Sequence, residues 1–110
     1  MDWAHELRCF FGGAFLTNAI PHFVSGVMGR PFQSPFAKPS GEGLSSSTVN
    51  VVWGFFNGVV AWVLLKHGQG FDPRDLQSVA AAGLGMLLLA LFAGHHFGRF
   101  NGGNSPDSKP

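Results

Sequence analysis

Three long apolar stretches separated by short polar segments dominate the chain. Charged residues stop at Arg8 and resume at Arg30, stop at Glu42 and resume at Lys66, and stop at Asp75 and resume at Arg99. The uncharged runs Cys9 to Gly29, Gly43 to Leu65 and Leu76 to Gly98 are therefore 21, 23 and 23 residues long. About 20 apolar residues in a helix cross the hydrocarbon core of a bilayer. An amphipathic helix of a soluble bundle would carry charge on its outward face every third or fourth residue. Here those positions are Phe, Leu, Val, Ala and Gly. The pattern predicts an all-α membrane protein of three transmembrane helices running up, down, up.

Start and stop signals refine the spans to about 7–29, 46–66 and 73–98, in a transmembrane domain covering residues 1–100. Helix 1 runs from about Glu6 to Met28. Gly29, Arg30 and Pro31 end it, because proline restricts its predecessor and breaks the hydrogen-bond ladder. Pro21 lies inside this helix and predicts a kink that frees the carbonyl near Thr17. Residues 30–46 hold three prolines and two glycines and read as an irregular loop. Its Phe32 and Phe36 are expected to fold back on the helix ends at the membrane interface. Helix 2 starts at Ser46 or Ser47, whose hydroxyls suit an N-cap, and ends at Lys66-His67-Gly68. In helix 3, Asp72 fits the N-cap and Pro73 the first helical position. Residues 101–110 are polar and glycine-rich, and read as a disordered tail.

Composition agrees with this partition. Only 12% of residues are charged and 45% are hydrophobic, whereas soluble domains carry about 25% charged residues. A net charge of +1 gives no footprint for nucleic acid. Cys9 is the only cysteine, which excludes an internal disulfide and a cysteine metal cluster. Asp2 and Glu6 precede the first apolar run where a signal peptide would be positive, so that run is read as a span. The N-terminal side carries Arg8, Lys66 and Arg74, and the other carries Arg30, Lys38, Arg99 and Lys109. Four against three leans toward an outside N-terminus and a cytoplasmic C-terminus.

The candidate chemistry is a polar seam. Asn18, His22 and Ser25 share one face of helix 1 at i, i+4, i+7. Asn50, Gly54, Asn57 and Ala61 share one face of helix 2. With Ala19 and Gly54 as midpoints and about 1.5 Å of rise per residue, antiparallel packing pairs Asn18 with Asn57 and His22 with Asn50. Gly54 and Gly58 would admit close backbone approach. Such polar contacts commonly act as interhelical glue at about 0.6 kcal/mol each. A titratable His22 in a proton, ion or quinone site is the sharper alternative. On the same depth scale His95 and His96 lie about 12 Å or more from the midplane, which argues against a haem held between them and His22. They read as an interfacial pair at a helix C-terminus. Small residues from Ala81 to Gly85 predict close packing of helix 3.

The segments Asn18-Ala19-Ile20-Pro21-His22-Phe23, Gly29-Arg30-Pro31-Phe32, Ser34-Pro35-Phe36-Ala37, Gly43-Leu44-Ser45-Ser46 and Asn50-Val51-Val52-Trp53-Gly54-Phe55-Phe56-Asn57 resemble a group of small uncharacterised bacterial membrane proteins with three helices. The resemblance covers the first two helices and their loop. It implies a multi-pass protein of the bacterial inner membrane with no established activity.

No nucleophile–base pair or metal-ligand cluster stands out, so no catalytic, cofactor-binding or metal residues are assigned and no cofactor is expected. The expected role is association: a non-enzymatic protein partnered by the lipid bilayer, by itself as a homo-oligomer, or by a larger membrane complex. An oligomeric transporter or channel, with Asn18, His22, Asn50 and Asn57 lining a path at the helix 1–helix 2 interface, is the alternative.

Overall fold

The computed structural model describes residues 2–107. Three helices carry the fold, α1 (Trp3–Val27), α2 (Ser47–Lys66) and α3 (Leu76–Asn101), with two short strands, β1 (Phe32–Gln33) and β2 (Leu44–Ser45), between α1 and α2. α1 is the central element and packs along both other helices, which share at most marginal contact with each other. Side-chain pairs give the directions. Asn18 meets Asn57 and His22 meets Asn50, so α1 and α2 are antiparallel. His5 meets Ser78 and His22 packs on Phe97, so α1 and α3 are parallel.

The helix ends follow local chemistry, with corrections to the sequence reading. α1 begins at Trp3, earlier than expected, because the Asp2 carboxylate accepts from the N–H groups of Ala4 and His5 at 3.1 and 3.2 Å. Its helical residues run unbroken through Pro21. α2 has its N-cap at Ser46, as the hydroxyls indicated. α3 begins at Leu76, not at Pro73. Asp72 caps a turn, accepting from Arg74 N at 2.9 Å, and Asp75 is the N-cap, accepting from Gln77 N and Ser78 N.

Two segments read as irregular are ordered. In the 30–46 loop, Phe32 pairs with Ser45 and Gln33 with Leu44 in an antiparallel ladder. The hairpin is closed below by Ser34 and Ser45, whose hydroxyls are 2.5 Å apart. After α3, Gly102 adopts a left-handed φ of 87° that a side chain would resist. The chain then turns back. Asn104 donates from its side chain to His95 O at 2.8 Å and from its backbone to Gly98 O at 3.3 Å. Residues 102–104 are thus a helix cap rather than a free tail; the expected disorder of residues 108–110 lies outside the described residues.

The interior is small and polar while the exterior is apolar. Buried residues include Cys9, Ala19, Ala61, Ala82, His5, His22, Gln33, Asn50, Asn57 and Ser78. Phe11, Ile20, Phe55, Trp62, Leu87, Leu91 and Phe92 are exposed. α2 and α3 are long and apolar enough to cross a membrane, yet only 22% and 17% of their most apolar stretches are buried inside the molecule. A core helix of a soluble protein would hide that surface.

Candidate functional site

The α1–α2 interface is built on glycine. A Cβ on Gly54 would sit 2.6 Å from the backbone N of Phe23, and one on Gly26 would sit 2.7 Å from Ser47 O. Backbone approach this close brings short polar side chains within bonding reach. Gly58, expected to share this role, meets nothing and faces outward.

Both expected pairs form. Asn18 Nδ2 donates to Asn57 Oδ1 at 3.0 Å, and Asn57 Nδ2 donates to Trp53 O at 2.8 Å. His22 Nδ1 and Asn50 Oδ1 are 2.8 Å apart. The Asn50 amide nitrogen faces three carbonyls, those of Phe32, Ser45 and Ser46, at 3.2, 3.1 and 3.0 Å. A nitrogen surrounded by carbonyls must be the donor end, so the orientation of the amide follows from the network. His22 Nδ1 therefore carries the proton and donates to Asn50 Oδ1. Ser25, assigned to the same seam, is only half-buried. Gly26 occupies the contact instead, because Ser47 and Val51 press against the last turn of α1.

His22 is 2% exposed. Three aromatic rings enclose it edge-on, Phe32 at 5.5 Å, Phe97 at 5.9 Å and Trp53 at 6.4 Å between centroids. The packing on Phe97 fixes the level of His22 relative to α3. α1 starts at Trp3, so its midpoint is Phe15 and His22 lies about 10 Å from it. His22 and Asn50 thus sit beneath the hairpin at one end of the helices, level with the C-terminal part of α3. His22 and His96 both pack on Phe97, at the same end of the helices. Their bonding differs: His96 Nε2 donates to Gly41 O and His96 Nδ1 accepts from Arg99 at 3.1 Å. His96 thereby ties α3 to the hairpin, as does Asn101, which donates to Gln33 Oε1 at 3.1 Å.

A second polar cluster, at the opposite end of α1, escaped the sequence reading. His5 Nε2 lies 2.8 Å from Ser78 Oγ and 3.7 Å from Cys9 Sγ, and Ser78 Oγ donates to Asp75 Oδ2 at 2.8 Å. Because Ser78 gives its proton to the carboxylate, it accepts from His5. A serine nucleophile needs the reverse, with its proton given to histidine, so the arrangement is a tether between α1 and α3. The Ser78 hydroxyl and two backbone N–H groups hold the Asp75 carboxyl below the usual carboxylate range. The available signal was spacing: His5, Cys9 and Gly12 continue one face at i, i+4, i+7. Past it the helices touch through Gly13 against Ala82 and Gly85 against Phe10. The small stripe in use on α3 is Ser78, Ala82 and Gly85: the expected Gly85 takes part, and Ala82 is buried in place of the expected Ala81.

No group of three or more His, Cys, Asp or Glu side chains among the described residues is arranged to hold a metal ion. Compared with family models, with curated proteins and with solved structures, the chain gives no match in any of the three.

Proposed function

We propose that this chain is a three-span integral membrane protein that acts by association, as a homo-oligomer or as an accessory subunit of a larger membrane complex. One observation carries the reading: Asn50, Asn57, His22 and Ser78 are buried while phenylalanine, leucine and tryptophan face outward. That inversion suits a molecule whose solvent is hydrocarbon. The third span is α1. It has more polar residues than α2 or α3, but His5, Asn18 and His22 among them bond to the two helices that flank it. Pro21 leaves the Thr17 carbonyl without its usual donor, which favours a bend of the α1 axis there. A bacterial inner-membrane location rests on the family resemblance. The outside N-terminus rests on the excess of one basic residue in the segments that follow α1 and α3.

His22 is sealed by three rings and hydrogen-bonded to Asn50, which favours packing over a water-filled path. The seam then holds the hairpin on the helices and leaves the apolar faces free to meet partners. Purification in mild detergent, with mass measured by light scattering, tests this. A particle of two or more chains, or a co-purifying membrane partner, is expected. A monodisperse monomer without a partner would count against association.

A further inference from the structure

Two depressions on the outer surface meet at Trp62. The first is a groove of about 440 Å³ between α1 and α2, lined by Leu16, Ile20, Phe23, Phe55 and Gly58, among others, and closed at one end by Trp62. Among the described residues nothing lies within 4 Å of a Cβ placed on Gly58, so the groove floor is open to a chain-shaped ligand. The second is a crevice of about 370 Å³ lined by Trp62, Leu65, Lys66, Gln69, Gly70 and Phe71, at the turn that follows α2. The groove has no charged lining residue, and the crevice has one, the ammonium of Lys66.

Two cationic side chains, Lys66 and Arg8, lie at this turn. Lys66 Nζ sits 4.4 Å from the centre of the Trp62 ring. The Arg8 guanidinium lies against Gly68, and its Nε is buried with no hydrogen-bond partner among the described residues. His67 lines a further depression with Trp62 and Lys66. The charged groups lining the groove and the two depressions include no carboxylate. The carboxylates of the segment that leads into α3 are engaged, Asp75 by Ser78 and Asp72 by the Arg74 N–H, and Glu6 lies on α1 two residues before Arg8.

We propose that groove and crevice form one site for an anionic phospholipid. One acyl chain lies along Leu16, Ile20, Phe23, Phe55 and Gly58, and the phosphate meets Lys66 at the turn, with Arg8 adding positive potential. The proposal rests on the membrane reading above. The occupant follows from charge complementarity joined to shape: a long apolar slot ends in a cationic polar crevice beside a tryptophan. Tryptophan and lysine at that position are suited to the headgroup level of a bilayer. A basic residue near an anionic headgroup contributes a factor of about five in affinity.

Retention of phospholipid from an equimolar mixture of phosphatidylglycerol and phosphatidylcholine, read by mass spectrometry of the detergent-solubilised protein, tests this. The natural protein should keep phosphatidylglycerol over phosphatidylcholine by about fivefold or more. Lys66→Gln should bring the two to near parity without lowering the total, and Lys66→Arg should restore the preference. Gly58→Leu fills the groove and should lower retention of both lipids, with helix content unchanged by circular dichroism. Lys38→Gln, at the other end of the molecule, should change nothing. Equal retention by the natural protein, or a preference that survives Lys66→Gln, overturns the site. So does a Gly58→Leu protein that turns from dimer to monomer while keeping its lipid, because a second copy then covers the groove. Flotation with phosphatidylcholine vesicles separates the two readings: a chain that fails to float refutes the membrane assignment itself.

Discussion

The Asn50 amide has two protons and one oxygen, and four neighbours claim them: the carbonyls of Phe32, Ser45 and Ser46 and the Nδ1–H of His22. Asn18 forms one bond, to Asn57. The two positions should therefore differ in cost although both are asparagines in the same seam. Asn18→Ala removes one interhelical contact, worth about 0.6 kcal/mol in a membrane bundle. Asn50→Ala strands several buried groups at once and should cost about 2–3 kcal/mol. Unfolding in mixed micelles measures both, and equal losses would refute the account of Asn50 as the hairpin's anchor. Asp75 makes a pH-dependent contribution. Its folded pKa is lowered, first by Ser78, so its stabilisation is present above the unfolded carboxylate value of about 3.9 and is lost as pH falls through and below it. Asp75→Asn should flatten this acid limb in a thermal scan against pH; an unchanged limb would assign it to other carboxylates.

Glycine sets the spacing of the elements, and the interhelical positions are not equivalent to the open ones. Gly85 meets the Phe10 backbone, Gly13 the Ala82 backbone and Gly54 the Phe23 backbone, whereas Gly58 and Gly83 meet nothing. Gly54→Val or Gly85→Val must push main chain against main chain, which exceeds the usual 1–3 kcal/mol of overpacking by about twofold or more. Gly83→Ala should stay within about 0.5 kcal/mol of the natural protein, and thermal unfolding in detergent ranks them. These elements also show what was legible. Charge gaps placed three helices because excluded charge is a length signal that survives any packing. The pairs Asn18–Asn57 and His22–Asn50 were legible because antiparallel helices fix relative level. Absolute depth was not, since the start of α1 depends on the Asp2 cap and not on where charges stop. The hairpin was hidden because its two-residue strands are too short for a period-2 pattern. His5 was missed because a histidine before the apolar run looks solvated until α3 is known to lie beside it.

Across the whole molecule the decisive contrast is between a polar, close-packed interior and an apolar outer surface, over extents of 49 × 30 × 22 Å. At about 1.5 Å per residue, the 25, 20 and 26 residues of α1, α2 and α3 give lengths of about 38, 30 and 39 Å. Each matches or exceeds a hydrocarbon core of about 30 Å. α1 is flanked by α2 and α3 and bonded to them near both ends, by His22 to α2 and by His5 to α3. If α2 and α3 cross a bilayer, α1 is carried across with them, because leaving it in water would expose Asn50, Asn57 and Ser78 to lipid without partners at several kcal/mol each. Three crossings would place the hairpin and the turn after α2 on opposite sides. Cys9 is buried and the sequence has no other cysteine, so single reporters are easy to install. In sealed vesicles of uniform orientation, Ser40→Cys and Gln69→Cys should react with a membrane-impermeant maleimide from opposite faces, and Ser105→Cys should follow Ser40→Cys. Labelling of Ser40→Cys and Gln69→Cys from the same face would mean that α2 does not cross. Labelling of Ser105→Cys with Gln69→Cys would remove α3 from the membrane and leave the exposed Leu87, Leu91 and Phe92 for a protein partner to cover.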